Sequence, residues 1–339
     1  MDYFRTRYIN ELNEKGDVEV EGQIWSRHQV LETMDPVAEN QIFMGWVEDQ
    51  KLDAKERARQ FLTQYGCLDR FNAMMARHKN GNLLPFIGAG MSMKSGYQRW
   101  GDFLLSLLGD APAAAKATVQ AHLALDEYEE AAQHAIEVLG GNVFDEEIHS
   151  KMGRHRKNCE GPVCLMPSVF RAEVFTTNFD YVLDHVYDNA KLPFARVHKG
   201  SRLRQAAQQM GNDPHSLIRL HGEADDCEDR VLTLAEYDAA YADSAGLKSA
   251  LSNLVGARSL LFMGCSLHTD RTFAAFKAIK EEAAPAVRHY AFLPFPGDDG
   301  RHPRRANLGS AEIHPIWYPP EDHDKSIEDL LITMMEGGF

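Results

Sequence analysis

The sequence predicts an α/β fold in which helices cover both faces of a parallel sheet, with a mostly helical insertion and an N-terminal extension. Three observations predict it. Short apolar runs at 83–87, 173–177, 216–221, 259–264, 288–293 and 313–318 have the length and composition of buried strands. Stretches at helical spacing lie among them, around 99–108, 126–138, 179–188, 246–256 and 270–282. The chain has 339 residues, 44% hydrophobic and 25% charged, enough to bury a large core. Buried strands that alternate with helices pair in parallel.

At the start, Tyr3, Phe4, Tyr8, Ile9 and Leu12 give a short amphipathic helix that Gly16 interrupts. Val18 to Ile24 alternates like a strand, and Asp35-Pro36 marks a turn. Phe61, Leu62, Tyr65, Leu68, Phe71 and Met75 recur at helical spacing within 53–79. Residues 1–80 are thus expected to be a mostly helical extension, packed on the main domain or on another subunit. The sheet begins at 83–87 and breaks at Gly88. Pro85 stands inside that run and cannot donate to a ladder, so it should either start its strand or sit where the neighbour needs no N–H. The first two sheet strands lie too far apart for one crossover helix. Residues 110–170 are therefore expected to form a mostly helical insertion. Within it, the basic run Gly153 to Lys157 and the turn Glu160-Gly161-Pro162 predict an exposed loop. Residues 323–339 close the chain with a helix whose apolar stripe is Ile327, Leu330, Leu331 and Met334.

Composition excludes several functions. A net charge of −14 rules out a general nucleic-acid coat, and no sequence-specific nucleic-acid binding is expected. Five cysteines without a CxxC pair argue against a disulfide framework and for a reducing compartment. No apolar signal core follows Met1, and no run has the roughly 20 apolar residues of a membrane helix. A cytoplasmic protein with no membrane partner is expected.

Four strand ends carry polar residues beside glycines. Phe86-Ile87-Gly88-Ala89-Gly90-Met91-Ser92 is a strand running into Gly-x-Gly, an arrangement that brings backbone N–H groups to a phosphate. It is equally a tight strand-to-helix turn, since Met93 stands where the third glycine of a dinucleotide fingerprint would fall. Val174 to Asp180 delivers Asn178 and Asp180 to a strand end. Asn178 can orient a hydroxyl or a water and Asp180 can accept from a sugar hydroxyl; either can instead cap the helix that follows. Leu217 to Gly222 ends in His221, a general base near neutral pH or a structural histidine. Leu260 to Leu267 ends in Gly264-Cys265-Ser266, able to hold a phosphate or ribose, with Asp270 as the next helix cap.

In this order, Gly88-Ala89-Gly90-Met91-Ser92, Thr177-Asn178-Phe179-Asp180, Leu220-His221-Gly222 and Gly264-Cys265-Ser266-Leu267 resemble the SIR2-like family, over residues 82–293. The resemblance implies a Rossmann-like domain over 81–322 that binds NAD⁺ as substrate and cleaves its nicotinamide–ribose bond. It implies that Gly88, Ala89, Gly90 and Ser92 sit on the phosphates and that Thr177 joins the cofactor contacts. Asn178 and Asp180 would hold the ribose and the attacking water. His221 would be the catalytic histidine, and Gly264 and Ser266 would contact the adenosine half. No metal is expected. The deacetylase branch of the family carries a zinc ribbon, but here 223–263 holds only Cys227, and Gly96-Tyr97-Gln98 replaces its Gly-Ile-Pro segment. What remains is similar to NAD-hydrolysing effectors of bacterial antiphage systems. That likeness implies NAD depletion, a homo-oligomer and, as in one group, a hexameric HerA-type ATPase partner. The alternative is a subunit that binds NAD or ADP-ribose without chemistry, a sensor or scaffold.

Weaker constellations are expected to be structural. His149, His155, Cys159 and Cys164 are zinc-ligand types, but their spacing matches no familiar finger. The acidic run Glu223, Asp225, Asp226, Glu228 and Asp229 predicts a solvated loop, which would raise the pKa of His221 if it folded over it. The basic clusters 154–157 and 301–305 predict exposed loops.

Overall fold

The computed structural model describes residues 2–200, 215–242, 251–252, 258–268, 271–282 and 287–339. It opens with α1 (Asp2–Asn13), a hairpin of β1 (Val18–Val20) and β2 (Gln23–Trp25), α2 (Arg27–Met34), α3 (Pro36–Gln64) and α4 (Leu68–Lys79). The expected single strand over 18–24 is a hairpin because Glu21 and Gly22 take φ of 54° and 79°, the geometry of a primed turn. Asp35-Pro36 starts a helix: the Asp35 carboxylate accepts from the Ala38 N–H at 2.9 Å and Pro36 occupies the first helical position.

The sheet is parallel, seven-stranded and Rossmann-like. Its strands are β3 (Leu83–Ile87), β4 (Val174–Thr176), β5 (Arg196–Lys199), β6 (Ser216–Arg219), β7 (Ser259–Met263), β8 (His289–Pro294) and β9 (Ile313–Tyr318), in spatial order β5-β6-β4-β3-β7-β8-β9. β5 is an edge strand with a half-exposed pattern, which is why apolarity did not reveal it. Between β3 and β4 lie a 3-10 helix (Ala89–Ser95), α5 (Trp100–Leu107), α6 (Ala113–Ala124), α7 (Tyr128–Leu139), α8 (Gly141–Met152) and the short α9 (Met166–Val169). The remaining described helices are α10 (Val182–Asn189), α11 (Leu234–Tyr241), α12 (Arg271–Glu282), α13 (Asp298–Gly309) and α14 (His323–Met335). Most of the helix expected over 246–256, and the expected cap Asp270, lie outside the described residues.

The position of Pro85 follows from the ladder. The Ile87 carbonyl accepts from Thr177 beside β4, while the Gly88 N–H donates to Met263 of β7. Odd positions therefore face β4, and that pairing begins only at Phe86, so no N–H is required of Pro85.

The N-terminal helices share the sheet's core. Arg57 of α3 holds Asp329 of α14 through two hydrogen bonds of 2.8 Å, and Arg7 and Tyr3 of α1 both reach Glu328. The cluster 301–305 lies in helix α13. Arg301 donates to the Tyr65 carbonyl and Arg304 to that of Leu267, both at 2.8 Å.

β3 and β7 are neighbours from which the chain winds outward in opposite directions, so a crevice opens at their carboxyl ends. There the two glycine loops touch. The Gly90 N–H donates to the Gly264 carbonyl at 2.9 Å. A Cβ on Gly88 would meet the Gly264 oxygen at 2.5 Å, and one on Gly90 the Gly264 Cα at 2.8 Å. Gly264 has φ +69°, and its own Cβ would lie 2.5 Å from the Met91 nitrogen. We expect Gly264→Ala to lower stability by more than about 2 kcal/mol, through both φ and overlap. Gly16→Ala, at φ +85° with open space around it, isolates the φ contribution. Denaturant unfolding should rank Gly264→Ala well below Gly16→Ala.

Candidate functional site

The site lies where β3, β4, β6 and β7 end. After β3 the chain enters the 3-10 helix rather than an α-helix, and this turns Ser92 inward, where it is 2% exposed. The Asn178 Nδ2 donates to Ser92 Oγ at 3.2 Å. The Ser92 hydroxyl also hydrogen-bonds the Asp180 carboxylate. Asp180 Oδ1 accepts from the Val182 N–H at 3.0 Å, so Asp180 caps α10 while facing Ser92. Burial raises the Asp180 pKa, against the lowering effects of Val182, Ser92 and Arg219. Ser92, Asn178 and Asp180 thus form one hydrogen-bonded group. Gly88, Gly90 and Gly264 form the loop contact described above, with Ala89 half-buried beside them. Thr177 is half-buried and donates its N–H to Ile87. Ser266 is exposed, and its carbonyl accepts from Arg304.

The turn carrying Asn178 and Asp180 is held from β6. Arg219 is fully buried. Its Nη1 donates to the carbonyls of Asn178 and Asp180 at 3.0 and 2.9 Å, and its Nη2 binds the Asp184 carboxylate. The guanidinium carbon lies 5.0 Å from the centre of the Tyr181 ring, and Arg154 lies 4.5 Å from that same ring. Sequence reading missed Arg219 because it stands inside an apolar run. A charge flanked by Ile218 and Leu220 was nonetheless the available signal, since a buried guanidinium requires partners.

His221 is 4% exposed. Its Nε2 shares a hydrogen bond with the Tyr241 hydroxyl at 2.8 Å, and its Nδ1 lies 3.3 Å from that of Tyr237. Both tyrosines belong to α11, which Thr233 and Glu236 start with a reciprocal capping box. They are one helical turn apart, so they share a face. The sequence contained that signal as Thr-x-x-Glu followed by two tyrosines. Tyr241 continues to Thr272 at 3.1 Å. Burial lowers the His221 pKa to about 3.

The two loops expected at the surface do carry exposed residues, Arg154, His155, Lys157 and Glu160 in one and Asp225 and Glu228 in the other, but both are also tied down. In the acidic run, Glu223 is 8% exposed and pairs with Lys199, while Asp225 accepts from the Arg154 N–H and meets His149 Nδ1 at 2.7 Å. Among the described residues burial alone shifts the His221 pKa, and it does so downward, so the run does not raise it. The basic run docks on the rim of the site: Arg154 pairs with Asp184 at 3.2 Å and Arg156 Nη2 donates to the Gly96 carbonyl at 3.2 Å. The turn that follows is fixed by the Ser95 hydroxyl, which meets the Glu160 N–H at 3.0 Å. Among the described residues, no group of three or more His, Cys, Asp or Glu side chains is arranged to hold a metal ion, and no helix is long and apolar enough to cross a membrane.

Residues 172–316 match the family model of the SIR2-like domain. That span contains the Asn178–Asp180 turn, His221 and the Gly264 loop; the Gly88 loop precedes it. The match points to NAD-related chemistry. No curated protein matches the chain.

Two outcomes follow from this geometry. Arg219→Met keeps an apolar stem there but leaves two buried carbonyls without their donor and the Asp184 carboxylate with Arg154 alone. Unfolding free energy should drop by about 3–5 kcal/mol in a denaturant titration. For His221, the folded ring stays neutral to about pH 3, while the unfolded ring titrates near 6.5. Between these values the unfolded chain binds more protons, so stability falls as the pH drops below about 6.5. By pH 5 the loss is about 2 kcal/mol. His221→Gln should flatten the melting-temperature profile between pH 7 and 5. An unchanged profile would place the ring in solvent.

Proposed function

We propose that this chain hydrolyses NAD⁺ to nicotinamide, ADP-ribose and a proton. The observation that carries the reading is the convergence of Ser92, Asn178 and Asp180, with His221 on the adjoining strand end, at the switch point of a parallel sheet. The SIR2-like match over three of the four motifs supports it. Nicotinamide leaves as a neutral pyridine, so the bond needs little acid assistance, and the ribose gains oxocarbenium character as in glycoside hydrolysis. The protein's tasks are then orientation, charge stabilisation and presentation of water. Asn178 orients the water. Asp180 holds a ribose hydroxyl and faces the developing cation. His221, neutral at pH 7, accepts the proton that the water loses. The roles of Gly88, Ala89, Gly90, Thr177, Gly264 and Ser266 are to line the bound nucleotide.

Both ring nitrogens of His221 are engaged by tyrosines of α11. Access to the ring therefore requires α11 to shift, which supports an enzyme that is silent until a trigger or partner acts. Ile24, Met34, Val37 and Leu52 stand 66–78% exposed on the N-terminal elements, in keeping with a homo-oligomer or a HerA-type ATPase partner. Cytoplasmic NAD depletion during infection is the role that the resemblance suggests for such an enzyme. The same closure of His221 favours a second reading, a nucleotide-binding subunit without chemistry.

Chromatographic measurement of NAD⁺ loss tests these readings. The chain, with its genomic neighbour's product present, should release nicotinamide, and Asn178→Ala and His221→Ala should each reduce the rate at least about 100-fold while remaining folded. Wild-type rates in both variants would overturn the roles. Calorimetric binding without turnover under any condition would establish the second reading.

A further inference from the structure

The loop Gly96-Tyr97-Gln98-Arg99 joins the 3-10 helix to α5. Tyr97 is 7% exposed, and its hydroxyl has no hydrogen-bond partner among the described residues. A buried hydroxyl left unpaired is destabilising, and phenylalanine would avoid that loss in the same space. The ring is fixed in place. Arg156 covers one face at 4.9 Å from the centroid, and the Tyr97 N–H donates to the Ser92 carbonyl at 3.4 Å. The segment touches the Asn178–Asp180 turn on both sides of Tyr97: Ser92 through the Asn178 amide at 3.2 Å, and Trp100 edge-on to Phe179 at 5.4 Å. Burial raises the phenol pKa, and Asp180 adds to the rise.

We propose that the Tyr97 hydroxyl is a ligand-binding group of the nucleotide site, donating a hydrogen bond to an uncharged oxygen of the ligand beside Asp180. A phosphate there would meet the carboxyl group of Asp180, so the acceptor is a ribose hydroxyl or an amide carbonyl. This inference rests on the proposed nucleotide binding.

Tyr97→Phe tests it, because the ring and its contact with Arg156 are kept. The measurements are thermal unfolding of the free protein and calorimetric binding of NAD⁺, ADP-ribose and nicotinamide. The variant should melt at or above the wild-type temperature, since an unpaired hydroxyl is gone, and should bind NAD⁺ about 5–20-fold more weakly. An equal loss for ADP-ribose assigns the bond to a ribose hydroxyl. A loss seen with NAD⁺ and nicotinamide but not ADP-ribose assigns it to the amide. Wild-type NAD⁺ affinity in Tyr97→Phe overturns the Tyr97 assignment alone. Wild-type protein that binds neither NAD⁺ nor ADP-ribose overturns the nucleotide reading, and this inference with it.

Discussion

The buried guanidinium of Arg219 is the constraint on which the site's geometry depends. A full charge with no solvent contact is tolerated only when it is paired, and here three acceptors come from one turn and the helix after it, while Nε makes only a 3.8 Å ion pair with Glu223. Two are the backbone carbonyls of Asn178 and Asp180, the residues that face Ser92. Because β6 is paired in register with β4, Arg219 has little freedom to follow if that turn moves. The side chains of Asn178 and Asp180 are therefore held by the chain beneath them as well as by Ser92 in front. Arg219 also links this turn to the insertion, since its partner Asp184 is shared with Arg154, and the two arginines enclose Tyr181. Removing one such partner from a buried pair leaves the other uncompensated, so the arrangement is far more costly to break than an exposed ion pair.

A second constraint is steric. Gly88, Gly90 and Gly264 were expected to let backbone approach a phosphate. Each also faces the opposing loop at distances that exclude a side chain. The two roles are compatible, because the contact fixes the mouth of the crevice that a nucleotide would enter. It also explains why the fingerprint lacks its third glycine: the chain leaves through a 3-10 helix, so no glycine is needed at Met93 for a helix to pack closely on the strand.

Strand and helix alternation revealed most of the sheet, because strands buried on both faces are apolar throughout, whatever they pack against. Sequence reading missed β5, whose edge position leaves its residues half-exposed, and merged the first hairpin into one strand across Glu21-Gly22. Of the site, the strand-end residues were legible because short polar motifs punctuate apolar runs. What supports them was not. Asp184, Tyr97 and Arg219 lie within a few residues of the motifs and the α11 tyrosines follow a visible capping box, but no local pattern records which polar side chain meets which across elements. The same reason explains the loops at 153–161 and 223–229, whose charges look solvated until partners brought by the fold neutralise them.

The two halves of the site differ in how firmly they are held. Asn178 and Asp180 are secured by buried bonds. α11, which closes over His221, is secured at its outer face by exposed pairs. Arg271 reaches Asp238 of α11 and Glu129 of α7, both at 2.6 Å, with Asp238 63% exposed, and the Ala235 N–H meets Gln133 of α7 at 3.3 Å. Surface pairs of this kind contribute about 0–1 kcal/mol each. Among the described residues, α11 is held by these pairs, the two tyrosine–histidine hydrogen bonds and the Tyr241–Thr272 hydrogen bond, whereas the Asn178–Asp180 turn is held by a buried charge. A movement that exposed His221 would thus leave Asn178 and Asp180 in place. α7 of the insertion touches α11 directly through Gln133 and indirectly through Glu129, which shares Arg271 of α12 with Asp238, so a force applied to α7 reaches α11 without passing through the sheet. Under the proposed reading, a partner could uncover His221 while Asn178 and Asp180 stayed in place.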